Sequence, residues 1–147
     1  MHILWLLEDS DEDAEVFQFA AQAVGLNAEV KRFKTTADLL RHFDAPGTEP
    51  PALALIDLNL PGPDGRELIN RLKADARFHA VPLLVLSSSA SPADVSRSYA
   101  AGACAYLVKP LGLARYEVLI RAINDFWLGQ VVRPGRKPAG AAANATP

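Results

Sequence analysis

The sequence has a single cysteine, Cys104, among its 147 residues. One thiol excludes a disulfide framework and a metal centre built from several cysteines, and it suits a reducing cytoplasmic setting. Its place in an apolar run predicts a small core residue. No apolar run is long enough to span a membrane, and acidic residues follow MHILWLL directly, so we expect neither a signal peptide nor a membrane anchor.

An excess of positive charge is also missing. The chain has 15 Lys and Arg against 17 Asp and Glu, a formal net charge of −2, which gives no electrostatic basis for binding nucleic acid. The three histidines are scattered without the spacing of metal ligands. Half of the residues are hydrophobic, enough for the core of one domain.

Five short apolar runs predict strands, and helical patterns follow each of them. Helix start or stop signals stand at Gly25, Thr36, Asp64, Ser91-Pro92 and Gly102, and the last helix is expected from Leu113 to Leu128. The alternation predicts a three-layer (βα)5 doubly wound α/β domain with a parallel five-stranded sheet. The strands are expected at His2–Leu7, Ala28–Phe33, Ala52–Leu58, Val81–Leu86 and Ala103–Val108.

The predicted domain covers residues 1–128, and residues 129–147 form a C-terminal extension. The extension is rich in Pro, Gly and Ala. We expect its distal part to be disordered, whereas its first residues could pack on the domain. It is too short to fold into an output domain.

Polar residues end four of the five predicted strands. In open parallel sheets ligands bind outside the carboxyl ends of the strands, so these residues are expected to converge. A buried Asp57 would be costly alone, and we expect Lys109 and a cation held by Glu8 and Asp9 to offset its charge. The remaining acids up to Glu15 are expected to be solvated at a helix start. The strand-end residues are Glu8-Asp9, Asp57, Ser87-Ser88 and Lys109-Pro110.

This ordered set closely resembles the receiver domains of two-component response regulators, and the resemblance extends over residues 2–128. It implies the flavodoxin-like strand order 2-1-3-4-5. The segments DLNLPGPDGREL and NDFW further resemble single-domain regulators that partner phytochrome-type histidine kinases. The residues that carry the resemblance are Glu8-Asp9, Asp57 within DLNLPGPDG, Ser87, and Tyr106 three residues before Lys109-Pro110.

The resemblance implies that Asp57 is the nucleophile that accepts a phosphoryl group from a phosphohistidine of a partner histidine kinase. Output would come from protein–protein interaction or onward phosphotransfer, with no enzymatic activity beyond self-phosphorylation and self-dephosphorylation. Lys109, Ser87 and Ser88 would stabilise the phosphoryl group, and Ser87 and Tyr106 would form the switch. The implied Mg²⁺ ligands are Asp9, Asp57, Glu8 through water, and the backbone carbonyl of Asn59.

Other classes stay open. A small-molecule phosphatase or phosphotransferase could use Asp57 as nucleophile, but it would need a second carboxylate where Asn59 stands. A pseudo-receiver that binds partners without phosphorylation would lack Asp9, Asp57 or Lys109. A flavin-binding protein of the same strand order would have a phosphate loop rich in Ser, Thr and Gly in place of Glu8-Asp9.

The last helix has more apolar surface than packing on the sheet requires. At about 100° per residue, one face is expected to pack inward. Val118, Ala122 and Phe126 widen the apolar arc and predict a homodimer patch. The alternative is that Val131-Val132 folds back over them. The inward face comprises Tyr116, Leu119, Ile120, Ile123 and Trp127.

Overall fold

Five parallel strands form one sheet in the order β2-β1-β3-β4-β5. The protein is seen here in a computed structural model that describes residues 1–58 and 65–134. The predicted fold class and strand order are confirmed. The strands are β1 (His2–Leu7), β2 (Ala28–Phe33), β3 (Leu53–Asp57), β4 (Leu83–Ser87) and β5 (Ala105–Val108).

Helices cover both faces of the sheet. One face packs against α1 and α5, and the other against α2 and α3. Among the described residues, no helix combines the length and the apolar character that crossing a membrane requires. The helices are α1 (Asp11–Val24), α2 (Thr36–Asp44), α3 (Gly65–Ala74), α4 (Pro92–Ala101) and α5 (Leu113–Ala122), and a π-helix (Ile123–Gln130) continues α5.

The central strands are buried along their whole length. Every residue of β3 and β4 is buried, as expected for parallel strands with helices on both sides. Trp5 of β1 and Phe78 belong to the core beneath α2 and α3, and Phe17 belongs to the core beneath α1 and α5. In these two strands the only polar residues are the last ones, Asp57 and Ser87, so their polar side chains stand at the carboxyl edge of the sheet.

Three of the five strands differ from the prediction in one or both of their boundaries. β3 runs from Leu53 to Asp57, and β5 begins at Ala105. β4 begins after Pro82, which has no N–H to donate to a ladder, and it extends to Ser87, which pairs with Val108. Cys104 lies just before β5 and is exposed, so the prediction of a core cysteine was wrong.

The helix signals were largely correct. Gly25 and Gly102 both end their helices with positive φ, at 73° and 117°. The cap of α2 is Thr35 rather than Thr36, since its Oγ1 accepts a hydrogen bond from Asp38 N at 3.0 Å. Ser91 stands at the N-cap of α4 without a side-chain capping bond. The predicted cap Asp64 lies outside the described residues.

The last helix changes its winding after Ala122, which alters which residues face the core. In a π-helix the hydrogen bonds join residues i and i+5, so the turn is wider than in an α-helix and side chains five residues apart lie closer to one face. Leu128, five residues after the buried Ile123, is therefore buried, while the predicted Trp127 is only partly so. Asn124 Oδ1 accepts a hydrogen bond from Asn27 N at 2.8 Å and ties this segment to the loop after α1.

This register makes a stability prediction. Leu128→Ala should lower the free energy of unfolding by about 2–5 kcal/mol, because it leaves a cavity beneath the π-helix. Leu111→Ala removes the same atoms from a side chain that is 83% exposed, and should change the free energy by less than about 0.5 kcal/mol. Urea unfolding measures both, and equal effects would contradict the inward placement of Leu128.

Candidate functional site

Three carboxylates meet at the carboxyl edge of the sheet. Glu8 follows β1, Asp57 ends β3, and both are only 2% exposed. One carboxylate oxygen each from Glu8, Asp9 and Asp57 lie within 4.8 Å of one another. The three acids that the sequence analysis expected at this edge are therefore together.

The ammonium of Lys109 faces this cluster. Its Nζ lies 2.7 Å from Glu8 Oε1 and 2.9 Å from Asp57 Oδ2. The Lys109 side chain is only 10% exposed. The backbone N–H of Lys109 donates to Ser87 O at 2.8 Å, so the pairing of β4 with β5 positions the residue.

A further carboxylate, which the sequence analysis placed among the solvated acids, also binds Lys109. Asp13 Oδ2 lies 2.9 Å from Nζ. Asp13 is in the first turn of α1, where its backbone N–H donates to the capping Oγ of Ser10 at 3.2 Å. Burial, and then the charge of Asp13, raise the pKa of Tyr116 on α5 to about 12. The signal available in the sequence was its place three residues after the capping Ser10, in the first turn of the helix that follows β1.

The local loop positions its own acids. Ser10 N donates to Glu8 Oε2 at 3.2 Å, and Arg32 Nε donates to the carbonyl of Glu8 at 3.0 Å. Arg32 also pairs with Asp11 at 2.8 Å. The connection between β1 and α1 is thus held from β2, which orients Glu8 toward Lys109.

Burial and charge shift the protonation of the site. Burial raises the pKa of Glu8 from 4.5 to about 7; the hydrogen bond from Lys109 opposes the shift, and nearby Asp57 adds to it. Burial alone would lower the pKa of Lys109, but hydrogen bonds to Glu8, Asp13 and Asp57 together raise it above its ordinary value. Lys109 is therefore a cation at neutral pH, and the raised pKa of Glu8 lies close to neutral pH.

The predicted switch residues lie at the end of β4 and on β5. Ser87 is 1% exposed, and its Oγ accepts a hydrogen bond from Ser89 N at 3.2 Å. Tyr106 is half-buried, and its hydroxyl donates to Ser89 O at 2.8 Å. Both residues therefore contact the same loop. Ser88 is exposed, and Asn59 lies outside the described residues.

A flavodoxin-like parallel sheet with an acidic cluster and a lysine at its carboxyl edge is the arrangement of signalling receivers. The family model for the response regulator receiver domain matches residues 5–121. The chain belongs to this family.

The proteins and solved structures similar to this chain include phytochrome response regulators. The probable methanogenesis regulatory protein FilR2 of Methanothrix harundinacea is 32% identical, with coverage of 90% of this chain and 88% of that protein. The solved structure of the phosphorylated cyanobacterial phytochrome response regulator RcpA is similar, with a TM-score of 0.82 at 28% identity and coverage of 90% and 98%. The Mn(2+)-bound response regulator Rcp1 has a TM-score of 0.80 at 28% identity, with coverage of 91% and 99%.

The raised pKa of Glu8 makes a prediction for the metal-free protein. Between pH 4.5 and about 7 the folded state keeps a proton that the unfolded chain releases. This contribution to stability is therefore complete below pH 4.5 and is lost as the pH rises through about 7. Unfolding in chelator across this range should show a downward slope that Glu8→Gln reduces and the exposed control Glu15→Gln retains. An unchanged slope in Glu8→Gln would contradict the shift.

Proposed function

We propose that the protein is a response regulator that carries a phosphoryl group on Asp57. The observation that supports this most directly is the position of Asp57 at the end of β3, 2% exposed, with Lys109 at 2.9 Å and two further acids beside it. A buried carboxylate held next to a fixed cation is suited to act as a nucleophile on phosphorus. The roles of the individual residues follow from this proposal.

The donor set suits Mg²⁺. Glu8, Asp9 and Asp57 offer only carboxylate oxygens, the hard ligands that Mg²⁺ prefers while it keeps several waters. Asp9 and Asp57 would bind the ion directly, Glu8 would bind it through water, and the carbonyl of Asn59 would complete the set. When bound, Mg²⁺ would neutralise charge on the phosphoryl oxygens.

In the transfer step an Asp57 oxygen forms a bond to phosphorus while the bond from phosphorus to the kinase histidine breaks. The histidine nitrogen keeps the electron pair and leaves. Lys109 needs no movement to reach a group on Asp57, because its ammonium already touches that carboxylate. Such catalysis is mainly positioning and charge stabilisation.

The switch would begin at Ser87. Its hydroxyl would turn to a phosphoryl oxygen and give up the bond from Ser89 N. The carbonyl of Ser89 holds the Tyr106 hydroxyl, and Ser89 Oγ donates to Asp94 of α4 at 2.7 Å. Release of Ser89 would therefore free both the ring of Tyr106 and the start of α4, which would carry the signal to a partner protein or an onward phosphotransfer protein.

The partner would be a histidine kinase, and the similarity to RcpA favours one of the phytochrome type. The two alternatives receive less support. A pseudo-receiver would be expected to lack part of the set, whereas Asp9, Asp57 and Lys109 are assembled here. A small-molecule phosphatase would need a second acid in place of Asn59.

The phosphorylation proposal predicts one modified residue. Incubation with acetyl phosphate and Mg²⁺ should add one base-labile phosphoryl group, detected by intact mass. Asp57→Asn should abolish the addition because it removes the nucleophile, and a chelator should suppress it because the ligands would lose the ion.

Asp44→Asn is the matched control, because Asp44 is exposed and pairs with Arg71 far from the cluster. It should be modified like the wild type. Modification that persists in Asp57→Asn, or that is equally fast in chelator, would overturn the assignment of Asp57.

We also infer that the protein forms a homodimer through α5. Val118 is 66% and Phe126 54% exposed, and Ala122 between them is exposed as well. Residues Val131 and Val132 do not cover them, although Val131 N bonds to Phe126 O at 2.9 Å. Burial of Val118 or Phe126 would contribute about 1.5–3 kcal/mol per side chain before the costs of association.

A second copy of the chain suits this surface because its rim carries both signs of charge. Glu117 and Arg121 lie one helical turn apart on the same side of the apolar line on α5, so a twofold axis between them would bring opposite charges together. In a symmetric interface the same surface of each copy must complement itself, and here Glu117 of each copy would face Arg121 of the other.

Light scattering at micromolar concentration tests the dimer. Phe126→Glu should give monomers, because it places a charge in the patch. Phe19→Glu makes the same change on α1, where the ring is similarly exposed at 57%, and should remain dimeric. A monomeric wild type would end the dimer proposal.

A further inference from the structure

Lys109 has three ammonium protons, and each has a carboxylate partner. The partners are Glu8 at 2.7 Å, Asp57 at 2.9 Å and Asp13 at 2.9 Å. A lysine ammonium has three donors and no more, so all of its hydrogen-bonding capacity is used. The geometry of the ammonium is then determined by its surroundings rather than by its flexible four-carbon side chain.

The three partners differ in what else they would do. Glu8 and Asp57 belong to the cluster that suits a metal ion, and Asp57 would itself carry the phosphoryl group. Asp13 is outside that cluster. In the part of the chain that the structure describes, it is the one carboxylate on Lys109 that keeps no second role at the site.

We propose that Asp13 is a positioning residue for phosphoryl transfer, which holds Lys109 so that its third N–H points at Asp57. This rests on the proposed phosphorylation of Asp57. Glu8 and Asp13 each accept a hydrogen bond from one N–H of Lys109. The tetrahedral ammonium therefore directs its third N–H at the Asp57 oxygen. When that oxygen is bonded to phosphorus, the same proton is available to a phosphoryl oxygen, and no other bond of Lys109 need break.

The position of Asp13 allows this role. Its backbone is fixed by the Ser10 cap at the start of α1, while its side chain crosses to the residue after β5. The side chain is 41% exposed, against 2% for that of Asp57. Asp13 is thus anchored from outside the buried cluster and holds Lys109 from the solvent side.

If Asp13 acted only through its negative charge, its removal would change the reaction rate in the opposite direction. Asp13 adds negative charge near a site that must receive an anionic donor, so removing it would speed the reaction if charge alone mattered. Positioning predicts a slower reaction. The sign of the effect therefore separates the two.

The experiment measures the rate of phosphorylation of the full chain by acetyl phosphate at saturating Mg²⁺. In the step, an Asp57 oxygen bonds to phosphorus and acetate leaves with the electron pair. Asp13→Asn should slow the reaction about tenfold, the size expected for one partly exposed charge-assisted hydrogen bond. Asp13→Glu keeps a carboxylate and should recover most of the rate.

The matched control is Glu12→Gln. Glu12 is also an acid in the first turn of α1, and it is exposed. It loses the same charge and should stay within about twofold of the wild type, as a through-space effect at such an exposed site is screened. The Mg²⁺ dissociation constants of Asp13→Asn and Glu12→Gln should agree within about threefold, because neither residue is in the metal cluster.

The outcomes distinguish this proposal from the one on which it rests. A wild type that acetyl phosphate does not modify would overturn both. A modified wild type with Asp13→Asn equally fast or faster, or with Asp13→Glu as slow as Asp13→Asn, would overturn the role of Asp13 alone. Thermal unfolding of each variant confirms that the fold is retained, and Asp13→Ala provides a second variant should Asp13→Asn fail to fold.

Discussion

The carboxyl edge of the sheet depends on the ion pairs that the ammonium of Lys109 forms with buried carboxylates. Glu8 and Asp57 are both nearly inaccessible, and two such carboxylates without a cation would be strongly destabilising. Lys109 touches both and is itself almost buried. Its cationic form is stabilised by three carboxylates, which is why its pKa lies above the ordinary value despite burial. The acidic cluster therefore exists because the lysine is fixed beside it.

Four elements deliver these groups, namely β1, β3, β5 and α1. β1 and β3 pair directly, so Glu8 and Asp57 leave neighbouring strands at the same edge. Lys109 follows β5 and is bound through its backbone to Ser87 at the end of β4. Asp13 comes from α1, whose start is capped by Ser10. The site is consequently held by strand pairing and a helix cap, while Ser89, which bonds to both Ser87 and Tyr106, lies in the loop after β4.

The two faces of α5 differ in burial. Tyr116 and Ile120 secure the helix on the sheet, and the π-helical turn buries Leu128, while Trp127 packs against the same core and is partly buried. Val118 and Phe126 are left exposed by the same arrangement. Because α5 packs on α1, which carries Asp13, the exposed face and the acidic site share one layer of the domain.

The sequence by itself determined the alternation of apolar strands with helices, the helix stops at Gly25 and Gly102, and the set of acids and lysine at the strand ends. These features are local or follow from the rule that parallel strands end at one edge. Tertiary structure alone decided that Asp13 binds Lys109, that Cys104 is exposed and that Leu128 is buried more fully than Trp127. The physical reason is that such contacts join residues as much as 96 positions apart, or depend on a change of helical winding, and neither is encoded in a local hydrophobic period.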